Sequence, residues 1–183
     1  MLLEHHETTK ADEFKGTVID IETIGEFDRR YRRFDLRQYR EVTQVILGYI
    51  NHEHLHIYCA QGETGIPELR AATESIMGAL ERPLHAFNCE FESGVWFHHV
   101  GLRIQFDGEL QKTLWEPKAE ACRSLAIPGY GDPFFDDGKR CMDAWKKGDF
   151  KRAMAHNRAC LLKERDILLK RGYRDPAALS FDE

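Results

Sequence analysis

The 183-residue sequence has no apolar run of the roughly 20 residues that a membrane-spanning helix needs. It also has no positively charged, apolar start of the kind that directs secretion. We therefore expect a cytoplasmic chain without membrane contact. Its five cysteines are dispersed and include no Cys-x-x-Cys pair, which argues against a disulfide framework or a structural zinc site.

No internal repeat, low-complexity segment or linker divides the chain. A net charge of −5 argues against a general nucleic-acid coat protein, but it leaves room for a local binding groove. With 42% hydrophobic and 31% charged residues, the composition is ordinary for a globular protein. We expect residues 1–183 to form a single domain with its core at about 15–171 and loose ends at 1–14 and 173–183.

Hydrophobic periodicity predicts alternating strands and helices. Strands are expected at about 15–22, 41–50, 54–60 and 84–87, with a further strand at 103–107. Helices are expected at about 67–80, 90–99 and 150–171, with partial helix between 110 and 149. This order predicts an α/β fold with a mixed central sheet, an antiparallel arrangement of the first three strands, and helices on both faces.

The first predicted strand carries the strongest chemical signal, because Asp20 and Glu22 interrupt an apolar, β-branched run. Residues two apart on a strand face the same side, so both carboxylates project together. Two buried like charges are costly unless a cation neutralises them, and hard divalent ions prefer carboxylate oxygen. The alternative is that Asp20 caps a turn and Glu22 lies in solvent just past the strand.

Two later segments extend this signal. Residues 84–92 contain Asn88, then an aromatic and an acidic residue, Phe91 and Glu92. The last predicted helix carries His156 four residues before Cys160. With the Asp-x-Glu pair, these motifs resemble the DEDD-type 3′–5′ exonucleases of the ribonuclease-H-like superfamily.

The resemblance covers most of residues 15–171. It is closest to the branch whose last motif reads Tyr-Asn-x-x-Asp after a Trp and a Gly-Asp pair, which here are Trp145, Gly148, Asp149 and Asn157. Three positions depart from the family pattern. Glu92 replaces an Asp, His156 replaces the Tyr, and Cys160 replaces the fourth carboxylate.

The resemblance implies a ribonuclease-H-like fold and two Mg²⁺ or Mn²⁺ ions that hydrolyse a phosphodiester. Asp20, Glu22 and Glu92 would hold the ions, and His156 would be the general base because its reference pKa of about 6.5 suits neutral pH. Glu164, one helical turn beyond Cys160, could replace the missing ligand. Alternatively, Cys160 packs in the core and Glu164 pairs with Lys163 or Arg165 in solvent.

Substrate contacts are expected from Asn88, Phe91, Arg29 and Arg30. Asn88 could bind the end of the nucleic acid chain or cap the following helix, and Phe91 could stack on a base or belong to the core. The arginines at 29–40 could grip phosphates or form a solvated loop. Further along, scattered basic residues could line a groove or be ordinary surface: Lys118, Arg123, Lys139 and Arg140.

The sequence therefore predicts a metal-dependent 3′–5′ exonuclease acting on single-stranded or frayed DNA or RNA. Because Cys160 replaces the fourth carboxylate, the alternative is a catalytically degenerate domain of the same fold. Such a domain would bind nucleic acid or a protein partner without cutting. A ligand-binding or regulatory domain with an unrelated role is a third possibility.

Overall fold

A computed structural model describes residues 1–9 and 14–181 as an α/β fold built on one six-stranded mixed sheet. The strands are β1 (Leu2–Thr8), β2 (Thr17–Gly25), β3 (Val42–Ile50), β4 (His54–Ala60), β5 (Leu84–Ala86) and β6 (Gly108–Glu109). Their spatial order is β1-β4-β3-β2-β5-β6. The neighbouring pairs β1–β4, β4–β3 and β3–β2 are antiparallel. The pairs β2–β5 and β5–β6 are parallel.

The helices are α1 (Ile66–Met77), α2 (Cys89–Val95), α3 (Lys118–Ser124), α4 (Gly138–Lys146) and α5 (Phe150–Arg171). A π-helical turn at Trp96–Val100 extends α2, and short 3-10 turns lie at Leu36–Tyr39 and Glu63–Gly65. Helix α5 packs across β2, β3 and β4, and α1 packs on β3 and β4. None of the helices within the described ranges is long and apolar enough to cross a bilayer.

Strand β2 is central and contributes apolar side chains, including Val18 and Ile19, that are fully buried. Its register with β3 shifts after Glu22, where Val45 of β3 has no partner. Such a bulge turns the side chains beyond it to the other face. Asp20 and Glu22 thus face α5, whereas Gln44 beyond the bulge bonds Thr73 of α1 on the opposite face.

Several expected elements are confirmed. The predicted strands at 41–50 and 54–60 and the predicted helix at 150–171 match β3, β4 and α5 closely. The predicted strand at 103–107 is wrong, since the edge strand is the two-residue segment Gly108–Glu109. Asp107 instead accepts a hydrogen bond from the Leu84 amide at the start of β5.

The expected antiparallel first three strands require correction. Strands β2, β3 and β4 do pair antiparallel, but β1 precedes them in the chain and pairs with β4. Strand β2 is also parallel to β5 on its other edge. The error arose because the polar segment Leu2–Thr8 lacks the apolar alternation that marks a half-buried strand.

The expected loose ends are also partly wrong. Residues 2–8 of the predicted 1–14 segment form β1, and residues 10–13 lie outside the described part. At the other end, Arg174 forms a backbone bridge with Glu109, and Phe181 packs against the core. Residues 182 and 183 likewise lie outside the described part.

Gly48 of β3 sets how closely α5 can approach the sheet. A β-carbon at this position would lie 2.0 Å from Asn157 Oδ1 and 2.8 Å from Leu161 Cδ1. Asn157 and Leu161 are both fully buried, so neither side chain can move into solvent. Gly48 is also the cross-strand partner of Asp20, so this close approach brings Asn157 against the carboxylate.

We expect Gly48→Ala to lower the free energy of unfolding by about 1–3 kcal/mol, the usual cost of overpacking a core. Gly78→Ala is the matched control, because Gly78 has right-handed helical dihedrals and its nearest neighbour would be 3.8 Å away. Urea unfolding of both variants and the wild type measures the difference. Equal stability of the two variants would show that α5 does not depend on this close contact.

Candidate active site

A cavity of about 830 Å³ lies between β2, α2 and α5. It gathers eight of the ten residues that the sequence predicts for the site, namely Asp20, Glu22, Arg29, Asn88, Phe91, Glu92, His156 and Cys160. Of the other two, Arg30 is 83% exposed and pairs with Asp28, and Glu164 is fully buried. Residues from segments up to 140 positions apart in the chain thus converge on one space.

Asp20 is 6% exposed and has two partners. Its Oδ2 accepts a hydrogen bond of 2.7 Å from Asn157 Nδ2, and the same amide reaches its backbone oxygen at 3.1 Å. Its Oδ1 lies 3.0 Å from Lys118 Nζ. The carboxylate is therefore held in one orientation by a neutral donor from α5 and a cation from the start of α3.

Lys118 bridges two carboxylates, because its Nζ also lies 2.5 Å from Glu164 Oε1. The lysine side chain is 17% exposed and that of Glu164 is not exposed. Burial alone would lower the pKa of Lys118, but the charges of Asp20 and Glu164 raise it well above its usual range. The ammonium is thus a permanent cation inside the cavity, and Lys118 is neither ordinary surface nor a simple groove residue.

Glu92 and Glu22 are acidic residues without such a cation. Glu92 is 3% exposed, and no group in the described structure forms a hydrogen bond with its Oε2. Burial, with the charges of Asp20 and Glu164, raises the pKa of Glu92 well above its usual value. Burial and Asp20 also raise the pKa of Glu22 to about 7, against the opposing charge of His156. Both carboxyl groups are poised to bind a cation that would replace their proton.

His156 is fixed by Asp132, whose Oδ1 lies 2.7 Å from His156 Nδ1. On the other side of the ring, Nε2 lies 3.7 Å from Glu22 Oε1. Burial would lower the pKa of His156, but Glu22 and Asp132 together raise it to about 11. The imidazole is therefore protonated at neutral pH in this structure, unlike the neutral ring that its reference pKa suggests.

Asp132 joins the loop before α4 to α5. Its Oδ2 accepts a hydrogen bond of 2.7 Å from Lys163 Nζ, and its carboxylate also accepts from the amides of Phe134 and Asp136. Burial raises the pKa of Asp132, but the donors, led by His156, hold it far below its usual range. This carboxylate remains charged and holds the imidazole in one orientation through Nδ1.

Cys160 lines the cavity and its Sγ lies 3.8 Å from His156 Nε2. Burial raises the pKa of the Cys160 thiol to about 11, so the group is neutral where the family pattern has a carboxylate. The alternative placement of Glu164 in solvent is wrong. Lys163 pairs with Asp132 and Asp136, and Glu164 turns inward to Lys118.

Several overlapping sets of possible ligand atoms lie in and beside the cavity, and one of them contains both carboxylates of the β2 motif. Ligand atoms of Asp20, Glu22 and Cys160 lie within 4.8 Å of one another, which is compatible with a shared ion. The orphaned Oε2 of buried Glu92 is a further oxygen in the same cavity. The position between Asp20 and Glu164 is already occupied by Lys118 Nζ. The residues therefore fit one divalent ion, and a second ion at Glu164 would have to displace the ammonium.

The predicted substrate residues have distinct environments. Asn88 occupies the N-cap position of α2, but its side chain forms no cap hydrogen bond. Its Oδ1 is buried and meets no donor among the described residues. Phe91 packs edge-on against Phe27, with ring centroids 6.0 Å apart, and Phe27 is 51% exposed at the cavity.

The arginine segment at 29–40 is anchored to the domain through contacts with Glu90. Arg33 lies 3.3 Å from Glu90, whose other oxygen accepts hydrogen bonds from the Phe34 amide and the Gln38 side chain. Arg29 lines the cavity and its side chain is exposed. The segment is therefore an anchored loop that presents Arg29 beside the carboxylates.

Comparisons with known proteins identify no relative. No protein-family model matches the chain, and neither the curated proteins nor the solved structures yield a significant match.

Sequence reasoning missed the roles of Lys118 and Asp132. Lys118 is 98 positions from Asp20, and no local pattern distinguishes it from a solvated lysine. Asp132 had a weak signal, since it is the acidic residue in the Pro-Gly-Tyr-Gly-Asp-Pro segment at 128–133. A buried role for one of these turn residues could have been considered on that ground.

We expect Lys118→Met to lower the free energy of unfolding by about 3–5 kcal/mol in chelator, because removing one partner leaves buried carboxylates uncompensated. Mn²⁺ should then raise the melting temperature of this variant more than that of the wild type, because a bound cation stabilises the folded state. Thermal unfolding with and without Mn²⁺ measures both effects. Lys139→Met is the control, since Lys139 lines the same cavity but is exposed. An equal Mn²⁺ shift in all three proteins would contradict this account of the ammonium.

Proposed function

We propose that this chain is a metal-dependent nuclease of the ribonuclease-H-like type, acting as a 3′–5′ exonuclease on single-stranded or frayed DNA or RNA. The observation that carries the proposal is the convergence of Asp20, Glu22, Glu92 and His156 on one cavity. These residues come from β2, α2 and α5, the three elements on which the family resemblance places its motifs.

The topology supports the same proposal. After β1, the chain follows the expected order of three antiparallel strands, a helix, a parallel strand and another helix. Helix α5 lies against the face of β2 that carries Asp20 and Glu22. A late helix that faces the first acidic motif is what a ribonuclease-H-like site requires.

The charge of the cavity favours metal dependence. Its lining includes Asp20, Glu22, Glu26, Asp28, Glu92 and Asp136 against the basic groups of Arg29, Lys118, Lys139 and His156. The ionised carboxylates among them would repel phosphodiester oxygens in a partly buried space of low dielectric. A divalent cation held by the carboxylates would reverse that repulsion, so substrate binding and metal binding are expected to be coupled.

Mg²⁺ or Mn²⁺ bound here would polarise a phosphoryl oxygen and activate a water molecule. The carboxylates of Asp20 and Glu22 would hold the ion, with Glu92 as a further ligand. Lys118 would place a fixed positive charge near the negative charge that develops on the phosphate. In a two-metal site the second metal ion has this role. His156 would hold or move a proton at Nε2, while Asp132 keeps the ring in place through Nδ1.

The mouth of the cavity suits an unpaired nucleotide. Phe27 presents an exposed ring, and Phe91 supports it edge-on. Aromatic faces bind unstacked bases without strong sequence preference. Arg29 lies at the same mouth, where it could contact a phosphate, and Asn88 offers an unpaired amide oxygen to a sugar or a base.

A catalytically degenerate domain of the same fold is the second candidate, and Lys118 is the observation that favours it. Its ammonium already lies against both Asp20 and Glu164, where it compensates one negative charge without a metal ion. The neutral thiol of Cys160 also weakens the oxygen-ligand set. Such a domain would bind nucleic acid or a protein partner without cutting.

We expect the purified chain to shorten a 5′-labelled single strand from its 3′ end with Mn²⁺ or Mg²⁺ and to leave it intact in chelator. Asp20→Asn should reduce the rate by about 100-fold or more, the scale of losing one preorganised electrostatic contact. Asp143→Asn is the control, since Asp143 is exposed on α4. Binding without cleavage under every metal condition would instead support the degenerate domain.

We further expect Cys160→Asp to bind Mn²⁺ more tightly than the wild type, because it adds a hard oxygen ligand beside Asp20 and Glu22. The new carboxylate should also lower the melting temperature in chelator, since it adds a buried charge. Cys160→Ser is the matched control, because it is similar in size but uncharged. Calorimetric titration and thermal unfolding measure the two effects. If Asp and Ser behave alike, the Cys160 position is not part of the metal site.

A further inference from the structure

A cluster of three histidines lies at the opposite edge of the sheet from β5 and β6. His6 of β1 is the direct cross-strand partner of His56 of β4, and His54 is two residues earlier on β4. Residues two apart on a strand, and residues directly opposite on neighbouring strands, project from the same face. The three imidazoles therefore point into one space above β1 and β4.

This face of the sheet is not the one that carries the carboxylates. Tyr49 of β3 pairs with His56 and with Ile19 of β2, and it stacks on the His56 ring. Asp20 follows Ile19 directly and so points the other way. The histidine cluster is therefore a separate feature from the cavity that contains Asp20.

The nitrogen atoms are already close to the spacing that a metal ion needs. One ring nitrogen from each histidine lies within 4.8 Å of the other two. His6 Nε2 and His54 Nδ1 form a hydrogen bond of 3.1 Å, which a bound ion would replace. Two ligand nitrogens around a tetrahedral Zn²⁺ are about 3.3 Å apart, given Zn–N bonds of about 2.0–2.1 Å.

We propose that His6, His54 and His56 bind one borderline divalent ion, Zn²⁺ above all, through their imidazole nitrogens. Three neutral nitrogen donors suit Zn²⁺, Cu²⁺, Ni²⁺ or Co²⁺ and do not suit Mg²⁺ or Ca²⁺. Three protein ligands leave a fourth position of a tetrahedral ion open to water or another small ligand. The site therefore differs in chemistry from the oxygen-rich cavity.

The surroundings support a built site. The His56 ring is nearly parallel to those of Tyr49 and Tyr58, at interplanar angles of 20° and 5°. This aromatic row restricts the ring before any ion binds, which lowers the entropy cost of binding.

The ion would also stabilise the pairing of β1 with β4. In the described part of the chain β1 has a single neighbour in the sheet, which is β4. His6 belongs to β1, whereas His54 and His56 belong to β4. A shared metal ion would therefore bridge the two strands and stabilise the edge of the sheet.

The test uses the full chain after chelator treatment, titrated with Zn²⁺ by calorimetry. We expect one ion at the histidine cluster, besides any ion held in the carboxylate cavity, and at least about tenfold weaker binding of that ion in His6→Gln, His54→Gln and His56→Gln, since even outer-shell losses can cost that much. His5→Gln is the matched control, because His5 is adjacent to His6 but faces the other side of β1. Zn²⁺ should raise the melting temperature of the wild type and of His5→Gln, but not that of His56→Gln.

The visible absorption spectrum of bound Co²⁺ distinguishes nitrogen ligands from thiolate ligands and four-coordinate from six-coordinate ions. Co²⁺ at this site should give the intense visible bands of a four-coordinate ion without a thiolate charge-transfer band. The Asp20→Asn/Cys160→Ser double variant should keep the same spectrum and the same Zn²⁺ affinity. Weak six-coordinate bands, a thiolate band, or loss of zinc in the double variant would overturn the proposal. Equal weakening by His5→Gln and His6→Gln would show nonspecific binding to surface histidines and would overturn it as well.

Discussion

The structure depends on charge compensation where α5 meets β2. Asp20, Glu22, Glu92 and Glu164 are all buried or nearly so, and burial penalises each charge. Lys118 reaches two of them, and His156 lies close to Glu22. Burial nevertheless raises the pKa of Glu164 well above its usual value, and it does the same to Glu92, which has no cation in contact. Without a further cation, Glu92 keeps its proton, and ionising it would require a new positive charge in the cavity.

The backbone is adapted to hold these groups together. Gly48 lets α5 approach β3 closely enough for Asn157 to bond Asp20. The bulge after Glu22 keeps Asp20 and Glu22 toward α5 while Gln44 turns to α1. Asp132, in the loop before α4, forms hydrogen bonds with His156 and Lys163 of α5 and so links this loop to the helix. A polar network of this kind fixes side-chain positions because each member would be costly to leave unpaired.

The sequence predicted the elements with a strong hydrophobic period and the residues in short motifs. Strands β3 and β4 and helix α5 have such periods, and the Asp20–Glu22 pair, Glu92 and His156 belong to motifs. Strand β1 was missed because its stability comes from pairing with β4, which its polar sequence does not reveal. Lys118 was not recognised for a similar reason. Its role depends on a contact across 98 positions, and a local pattern carries no information about such a contact.

Lys118 also bears on whether the cavity is catalytic. A lysine that replaced a metal ion in a degenerate site would be expected to pair with every acid that had lost its ion. Lys118 instead contacts Asp20 and Glu164 and leaves Glu92 unpaired, while Glu22 faces a protonated imidazole. Glu92, the acid without a cation in contact, lines the same cavity as Asp20, where the motif resemblance places a metal ion. In the proposed site the ammonium would take the place of one of the two expected ions, and Glu92 would exchange its proton for the divalent ion.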